Sequence, residues 1–172
     1  MNGKILVTYA SQGGSTAGIA EAIGRALSNN GAGVDVLPVK AVADLSLYRA
    51  AVIGSAVHSG KWMPEAAAFV DQNQAALRRM PTAVFQVCMM LATGNEQYRR
   101  MVPGWLDPLH DQLHAAAAGS FAGALWPDRW PKLTDRLGLR IFLATIKLKA
   151  GDYRDWDAVR AWGESLGPLL VK

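Results

Sequence analysis

Hydroxyl side chains and paired glycines are concentrated in one short stretch, Ser11-Gln12-Gly13-Gly14-Ser15-Thr16, set between an apolar run and a helical pattern. Gly13 and Gly14 allow a tight turn that presents backbone N–H groups. Ser11, Ser15 and Thr16 add hydroxyl donors, and the helix that follows points its positive end at the same place. Such a turn can hold a phosphate without a lysine. It is not the loop of the nucleoside triphosphatases, which ends in Gly-Lys-Ser/Thr, nor a GxGxxG dinucleotide turn. The alternative reading of the same residues is an ordinary glycine-rich strand-to-helix connection.

Other residues with chemical capacity stand apart from this turn. His58 can hydrogen-bond a ligand or shuttle a proton, or be a solvated loop histidine. Trp62 can stack on a planar ring or anchor a loop by packing. Cys88, the one cysteine, reads as a small buried hydrophobe rather than a redox thiol, because nothing near it in sequence lowers its pKa. His110 and His114 are spaced i,i+4 without a third ligand, so no metal site is expected. Arg129, Lys132 and Arg136 can bind carboxylates or simply solubilise the chain.

The elements that must position these residues alternate along the chain. Lys4 to Ala10 is a continuous β-prone run, as for a central strand covered on both faces. A helical pattern through Ile19, Ala22, Ile23, Ala26 and Leu27 stops at Asn30-Gly31. Strands are expected at Gly33 to Val39, Ala50 to Ala56, Thr82 to Met90 and Ser120 to Trp126. A helix opened by Pro64 runs through Ala67, Phe69, Val70 and Leu77. A second, from Glu96 to Ala118, must break at Pro103 and Pro108. The last begins near Asp155, a good cap, and is expected to bury Trp156, Val159, Trp162 and Leu166.

This alternation predicts an α/β fold with a doubly wound parallel sheet of five strands and helices on both faces. Ligands of such sheets sit beyond the carboxyl ends of the strands. Three loops converge there. They are Ser11 to Thr16; Ser55, Ala56, Val57, His58, Ser59, Gly60, Lys61 and Trp62; and Cys88, Met89, Met90, Leu91, Ala92, Thr93 and Gly94.

Composition bounds the reading. A chain of 172 residues with 51% apolar side chains suits one domain, 1–172, and is too apolar for disorder. Its start, Met1-Asn2-Gly3-Lys4, leads into an apolar stretch too short for a signal peptide or a membrane span. A cytoplasmic location is therefore expected, extending at most to the inner face of a membrane. The formal charge of +4 and a pI near 9.4 favour acidic partners. No Lys/Arg run alternates with aromatics, so nucleic acid is not among them.

The stretch "TYASQGGSTAGIAEAIGRAL" resembles the phosphate loop of the flavodoxins, with Ser11, Gly14 and Thr16 matching and Gly13 in place of a middle hydroxyl. The resemblance implies the flavodoxin strand order 2-1-3-4-5 and FMN, its phosphate in the first loop and its ring between the second and third. In "VIGSAVHSGKW", "FAGALWP" and "DYRDWDAVRAWGESL" the chain is similar to the bacterial quinone-dependent protoporphyrinogen IX dehydrogenases. That likeness implies a flavoprotein of heme biosynthesis in which FMN takes hydride from a reduced tetrapyrrole and a quinone such as menaquinone reoxidises it. The cofactor carries the chemistry, so no protein nucleophile is assigned, and His58 and Arg129 are the only catalytic candidates. A flavodoxin-type electron carrier is the alternative. Typical carriers are acidic, whereas this chain is basic. A flavin-free binding module of the same fold is a third reading.

An insertion at about 127–152 follows the fifth-strand segment. Leu133, Leu137, Ile141, Ala144 and Leu148 form one stripe on it, widened by Leu139, Phe142, Leu143 and Ile146 and flanked by Lys132, Arg136, Arg140, Lys147 and Lys149. Such a helix can lie on anionic lipid, attract the carboxylates of a tetrapyrrole, or pack on the sheet with its charges solvated. A homo-oligomer is compatible with a flavin protein of this size.

Overall fold

The structure, a computed structural model, describes residues 3–29, 31–129 and 132–170. Met1 and Asn2, Asn30 as the stop of the first helix, and Trp130 and Pro131 of the insertion lie outside the described residues.

The first strand, β1 (Lys4–Ala10), lies at the centre because the side chains from Ile5 to Thr8 are apolar or small enough to be buried on either side. Ile5 and Val7 face one cluster. Leu6 and Ala10 face another. On one side of it is β2 (Val34–Pro38), on the other β3 (Tyr48–His58), both parallel to it. Beyond β3 come β5 (Thr82–Val87) and β6 (Ala117–Phe121), again parallel. Among the described residues the order β2-β1-β3-β5-β6 is the expected doubly wound order for five parallel strands. A sixth short strand, β4 (Lys61–Trp62), pairs antiparallel with the end of β3.

Helices α1 (Ser15–Asn29) and α6 (Trp156–Leu170) cover one face. The other face is covered by α2 (Pro64–Leu77) and by the segment that the two prolines break, as expected, into α3 (Glu96–Met101), a 3-10 turn at Pro103–Leu106 and α4 (Asp107–Leu113). Helix α2 buries Ala66, Phe69, Val70 and Leu77. At the start of α6 the Asp155 carboxylate accepts the Ala158 N–H at 3.0 Å, as a cap should. Trp156, expected to be buried, is instead 37% exposed.

Several strand limits differ from the expectation, each for a tertiary reason. The alanine-rich Ala117 and Ala118, read as the tail of a helix, join β6 because β5 offers them a register from Ala83↔Ala117 to Val87↔Phe121. The strand expected at Ser120 to Trp126 is therefore split. Its second part, β7 (Ala124–Leu125), leaves the main sheet and pairs antiparallel with β8 (Gly151–Asp152). The fourth expected strand ends at Val87, three residues before Met90, and turns into a 3-10 segment at Met89–Thr93.

The β7–β8 ribbon closes the base of the insertion. Within it, α5 (Leu133–Thr145) packs Leu139 and Leu143 on Leu125, with Met89, Ile146, Leu148 and Tyr153 around them. The helix thus rests on the ribbon and on the third strand-end loop, not on the faces of the sheet. Leu133, Leu137 and Ile141 of the expected stripe point to solvent, at 79%, 60% and 60% exposure.

Candidate functional site

The site is built from the first loop outward. Gly14 adopts φ +83°, a left-handed conformation that glycine takes without a steric penalty. This turn lets Ser11 Oγ accept the Gly14 N–H at 3.1 Å and lets the Gly14 carbonyl accept the first helical N–H, from Gly18, at 3.2 Å. Helix α1 then starts at Ser15 with its unpaired N–H groups facing the loop. Ser11, Gln12, Gly13, Ser15 and Thr16 form one wall of a small cavity of about 60 Å³. That is room for a group of a few heavy atoms. Thr16 is 1% exposed, and its Oγ1 is buried without a hydrogen-bond partner. A buried hydroxyl in that state costs free energy that an acceptor in the cavity would recover.

The opposite wall comes from Ala56, Val57 and His58 at the end of β3 and from Gly123, Ala124 and Leu125 at the start of the ribbon. Val57, His58 and Met89 also line a second cavity of about 690 Å³, so the two share a wall. The larger one adds Ser59, Gly60, Cys88 and Met90 from the second and third loops. Its far side is Tyr98, Trp105, Phe142 and Ile146. A few polar groups in an apolar, aromatic-walled cavity of this size suit an organic ligand. Among the described residues no carboxylate lines either cavity. The local field is therefore set by the α1 terminus and the loop amides, which favour an anion.

The second loop is tighter than its sequence indicates. Strand β3 continues to His58, and Ser59 and Gly60 take φ of 51° and 75°, as a two-residue hairpin turn requires. Lys61 and Trp62 then run back as β4. This reversal carries the Trp62 ring into the core cluster beside α2, with its Nε1 buried and unpaired, and away from the lining of both cavities. Ser55 is also inward. Its hydroxyl donates to the Ala56 carbonyl at 2.8 Å and accepts the Met63 N–H at 2.9 Å.

In the third loop only Cys88, Met89 and Met90 reach a cavity. Leu91, Ala92, Thr93 and Gly94 lie beyond the lining, and Thr93 Oγ1 closes the turn by donating to the Met90 carbonyl at 2.7 Å. Burial pushes the Cys88 thiol above its ordinary pKa, against the pull of the Met90 and Leu91 amides. The group is a neutral thiol at physiological pH, in keeping with its reading as a small hydrophobe. His114 meets Arg78, Nε2 to guanidinium nitrogen at 2.9 Å. Among the described residues no group of three His, Cys, Asp or Glu side chains could hold a metal.

A charged clamp fixes the ribbon beside the first loop. The Arg154 guanidinium, its side chain 10% exposed, donates from Nε at 2.8 Å and from a terminal nitrogen at 2.5 Å to the two Asp152 oxygens. It stacks at 4.3 Å on Trp156 and at 5.0 Å on Trp126, whose ring also carries Arg129 at 3.9 Å. These bonds from Arg154 hold the Asp152 carboxyl below the usual carboxylate range. Arg129 is thus placed on a tryptophan face at the insertion's base and lines neither cavity.

Residues the sequence reading passed over are Val87, Gly123, Ala124 and Leu125 in the small cavity and Tyr98, Trp105, Phe142 and Ile146 in the large one. The available signal was Trp105 itself, a tryptophan between two prolines in a segment already marked as broken.

Comparison with known proteins agrees with this architecture. A family model described as a flavodoxin domain matches residues 6–145. A curated relative from Leishmania major, named protoporphyrinogen IX dehydrogenase [quinone], is 27% identical over 186 aligned positions, covering 96% of this chain and 75% of its own. A solved flavodoxin from the domain Archaea superposes with a TM-score of 0.59 at 17% identity, covering 98% of this chain and 99% of that one. Rubredoxin oxygen:oxidoreductase from Desulfovibrio gigas gives a TM-score of 0.52 at 16% identity over 92% of this chain and 36% of that one.

Proposed function

The chain belongs to the flavodoxin domain family, and from that membership and the paired cavities we propose an FMN-dependent oxidoreductase. Its electron donor is protoporphyrinogen IX or a related tetrapyrrole, and its acceptor is a membrane quinone. Family and fold support a flavin-linked oxidoreductase or electron-transfer role. The donor and acceptor rest on the name of the Leishmania relative.

The observation that carries the cofactor is the orphaned Thr16 hydroxyl in the wall of a phosphate-sized cradle. FMN supplies the electron transfer that no side chain of the site can perform. The chain's own part is binding and exclusion. Loop amides from Gly13 to Thr16, with the Ser11, Ser15 and Thr16 hydroxyls, hold the phosphate at the positive end of α1. Val57 to Gly60 and Cys88 to Met90, which line the larger cavity, would hold the ring. His58 lines both cavities and would be the group to hold or move a proton at the ring edge.

A membrane acceptor also gives a role to α5. Its outward stripe of Leu133, Leu137, Ile141 and Ala144 has Arg140 beside it by helical spacing, the guanidinium pairing with Asp128 at 2.7 Å. This arrangement suits a helix lying on anionic lipid. No described helix is long and apolar enough to cross a membrane.

The test is an absorbance titration with FMN, followed by anaerobic addition of protoporphyrinogen IX and then a menaquinone analogue. Bleaching by the first and recovery with the second is expected. Tight FMN without bleaching would replace the dehydrogenase with an electron carrier, and failure to bind FMN would leave a binding module.

A further inference from the structure

We infer that the far half of the larger cavity, walled by Tyr98, Trp105, Phe142 and Ile146, is a compartment of its own for a second planar, apolar, unsaturated ring. Trp105 is its specificity-determining wall. The inference rests on the flavin reading above and specifies where the flavin's reaction partner sits.

The cavity has two halves of different origin. Its near half is made by the second and third strand-end loops, which also border the phosphate cradle. The far half comes from elements that take no part in the cradle: Tyr98 on α3, Trp105 on the 3-10 turn after it, Phe142 on α5 and Ile146 directly after α5. These four side chains extend the cavity beyond the strand-end loops, to about 690 Å³ in all. Two sequence-distant segments bring three aromatic rings to one hollow.

The chemistry of that wall selects its ligand. Aromatic faces bind flat unsaturated rings by offset or edge contact and reward removal of apolar area from water. Neither a lysine nor an arginine lines the cavity among the described residues, so the contact is with a ring system and not with acidic substituents. The Trp105 ring lies over the Ser59-Gly60 turn, such that a β-carbon at Gly60 would sit 3.9 Å from it. The tryptophan therefore adjoins the turn at the end of β3. Phe142, 41% exposed, stands on the other segment and is open to an entering ligand.

A quinone and a tetrapyrrole share this ring chemistry, and two probes separate them. Menadione and protoporphyrin IX would each be titrated into oxidised, FMN-loaded protein by calorimetry or fluorescence, for wild type, Trp105→Ala, Trp105→Phe and Phe142→Ala. At least one probe should bind, weakened about tenfold by Trp105→Ala and by Phe142→Ala and largely restored by Trp105→Phe. The Kd for FMN should stay within about twofold for Phe142→Ala, which lies away from the cradle. Weakening for menadione alone assigns the compartment to the quinone, and for porphyrin alone to the tetrapyrrole. Equal affinity of both probes for wild type and all variants, or no binding of either, overturns the inference. Should FMN itself fail to bind, the flavin reading fails, and the same titrations on flavin-free protein then decide the compartment separately.

Discussion

Gly123 stands so close to Ser15 that a β-carbon at position 123 would lie 2.9 Å from Ser15 Oγ and 2.9 Å from Val87 Cγ1. The chain leaving β6 therefore forms part of the cradle wall with its bare backbone. From that point it enters the ribbon that supports α5. Cradle and insertion are joined at one glycine.

Gly123→Ala should displace the Ser15 hydroxyl and narrow the small cavity. The expected result is an FMN affinity lower by about tenfold, or about 1.4 kcal/mol. Quenching of flavin fluorescence on titration reads it directly. An unchanged Kd would mean that Ser15 and Gly123 take no part in phosphate binding.

Thr16→Val removes a buried hydroxyl that has no partner in the protein and keeps the shape of the side chain. Without FMN the variant should be at least as stable as wild type, by up to about 1 kcal/mol, because a polar group is no longer buried unpaired. With FMN the order should reverse, since the hydroxyl's acceptor is then present. Thermal melts with and without saturating FMN test both signs.

The Asp152–Arg154 pair predicts a pH dependence with a defined sign. Asp152 is depressed in the folded state, chiefly by the Arg154 hydrogen bonds. Its stabilising effect is therefore fully present above the unfolded carboxyl value of about 3.9 and is lost as pH falls through the lower folded value. Asp152→Asn should lower Tm at pH 7, and the gap to wild type should close below about pH 4. A gap that stays constant across this range would show that the carboxylate charge is not what holds the ribbon.

Leu137 and Ile141 extend from α5 into solvent, so replacing both with Glu should leave Tm and the FMN Kd nearly unchanged. Sedimentation with vesicles containing anionic lipid should drop severalfold. Wild-type protein that stays in the supernatant at low salt would rule out the lipid contact.

Much of the scaffold was legible in single segments. An unbroken apolar strand such as Ile5 to Val7 must be covered on both faces, and that alone asks for helices above and below a parallel sheet. The hydroxyl-glycine turn, the prolines that break the third helical segment and the Asp155 cap are local signals, and local physics honoured them. The extent of the last strand was not local. Ala117 and Ala118 became strand because β5 had free partners for them.

The site divides along the same line. The sequence by itself determined the first loop's turn, since glycines and hydroxyls at a helix start depend on residues that adjoin one another, whereas the facing wall from Ala56 to His58 and from Gly123 to Leu125 came only with the tertiary structure. Only the tertiary structure decided which ring faces the cavity. A two-residue hairpin at Ser59-Gly60 turned Trp62 into the core, and the fold of a distant segment set Trp105 over that hairpin instead. It also decided which side of α5 is outside. The helix is apolar on two opposite sides, and the one that found Leu125 and Met89 was buried, leaving Leu133, Leu137 and Ile141 exposed. Periodicity can state that a helix has an apolar face, but the choice between two such faces belongs to whatever packs against it.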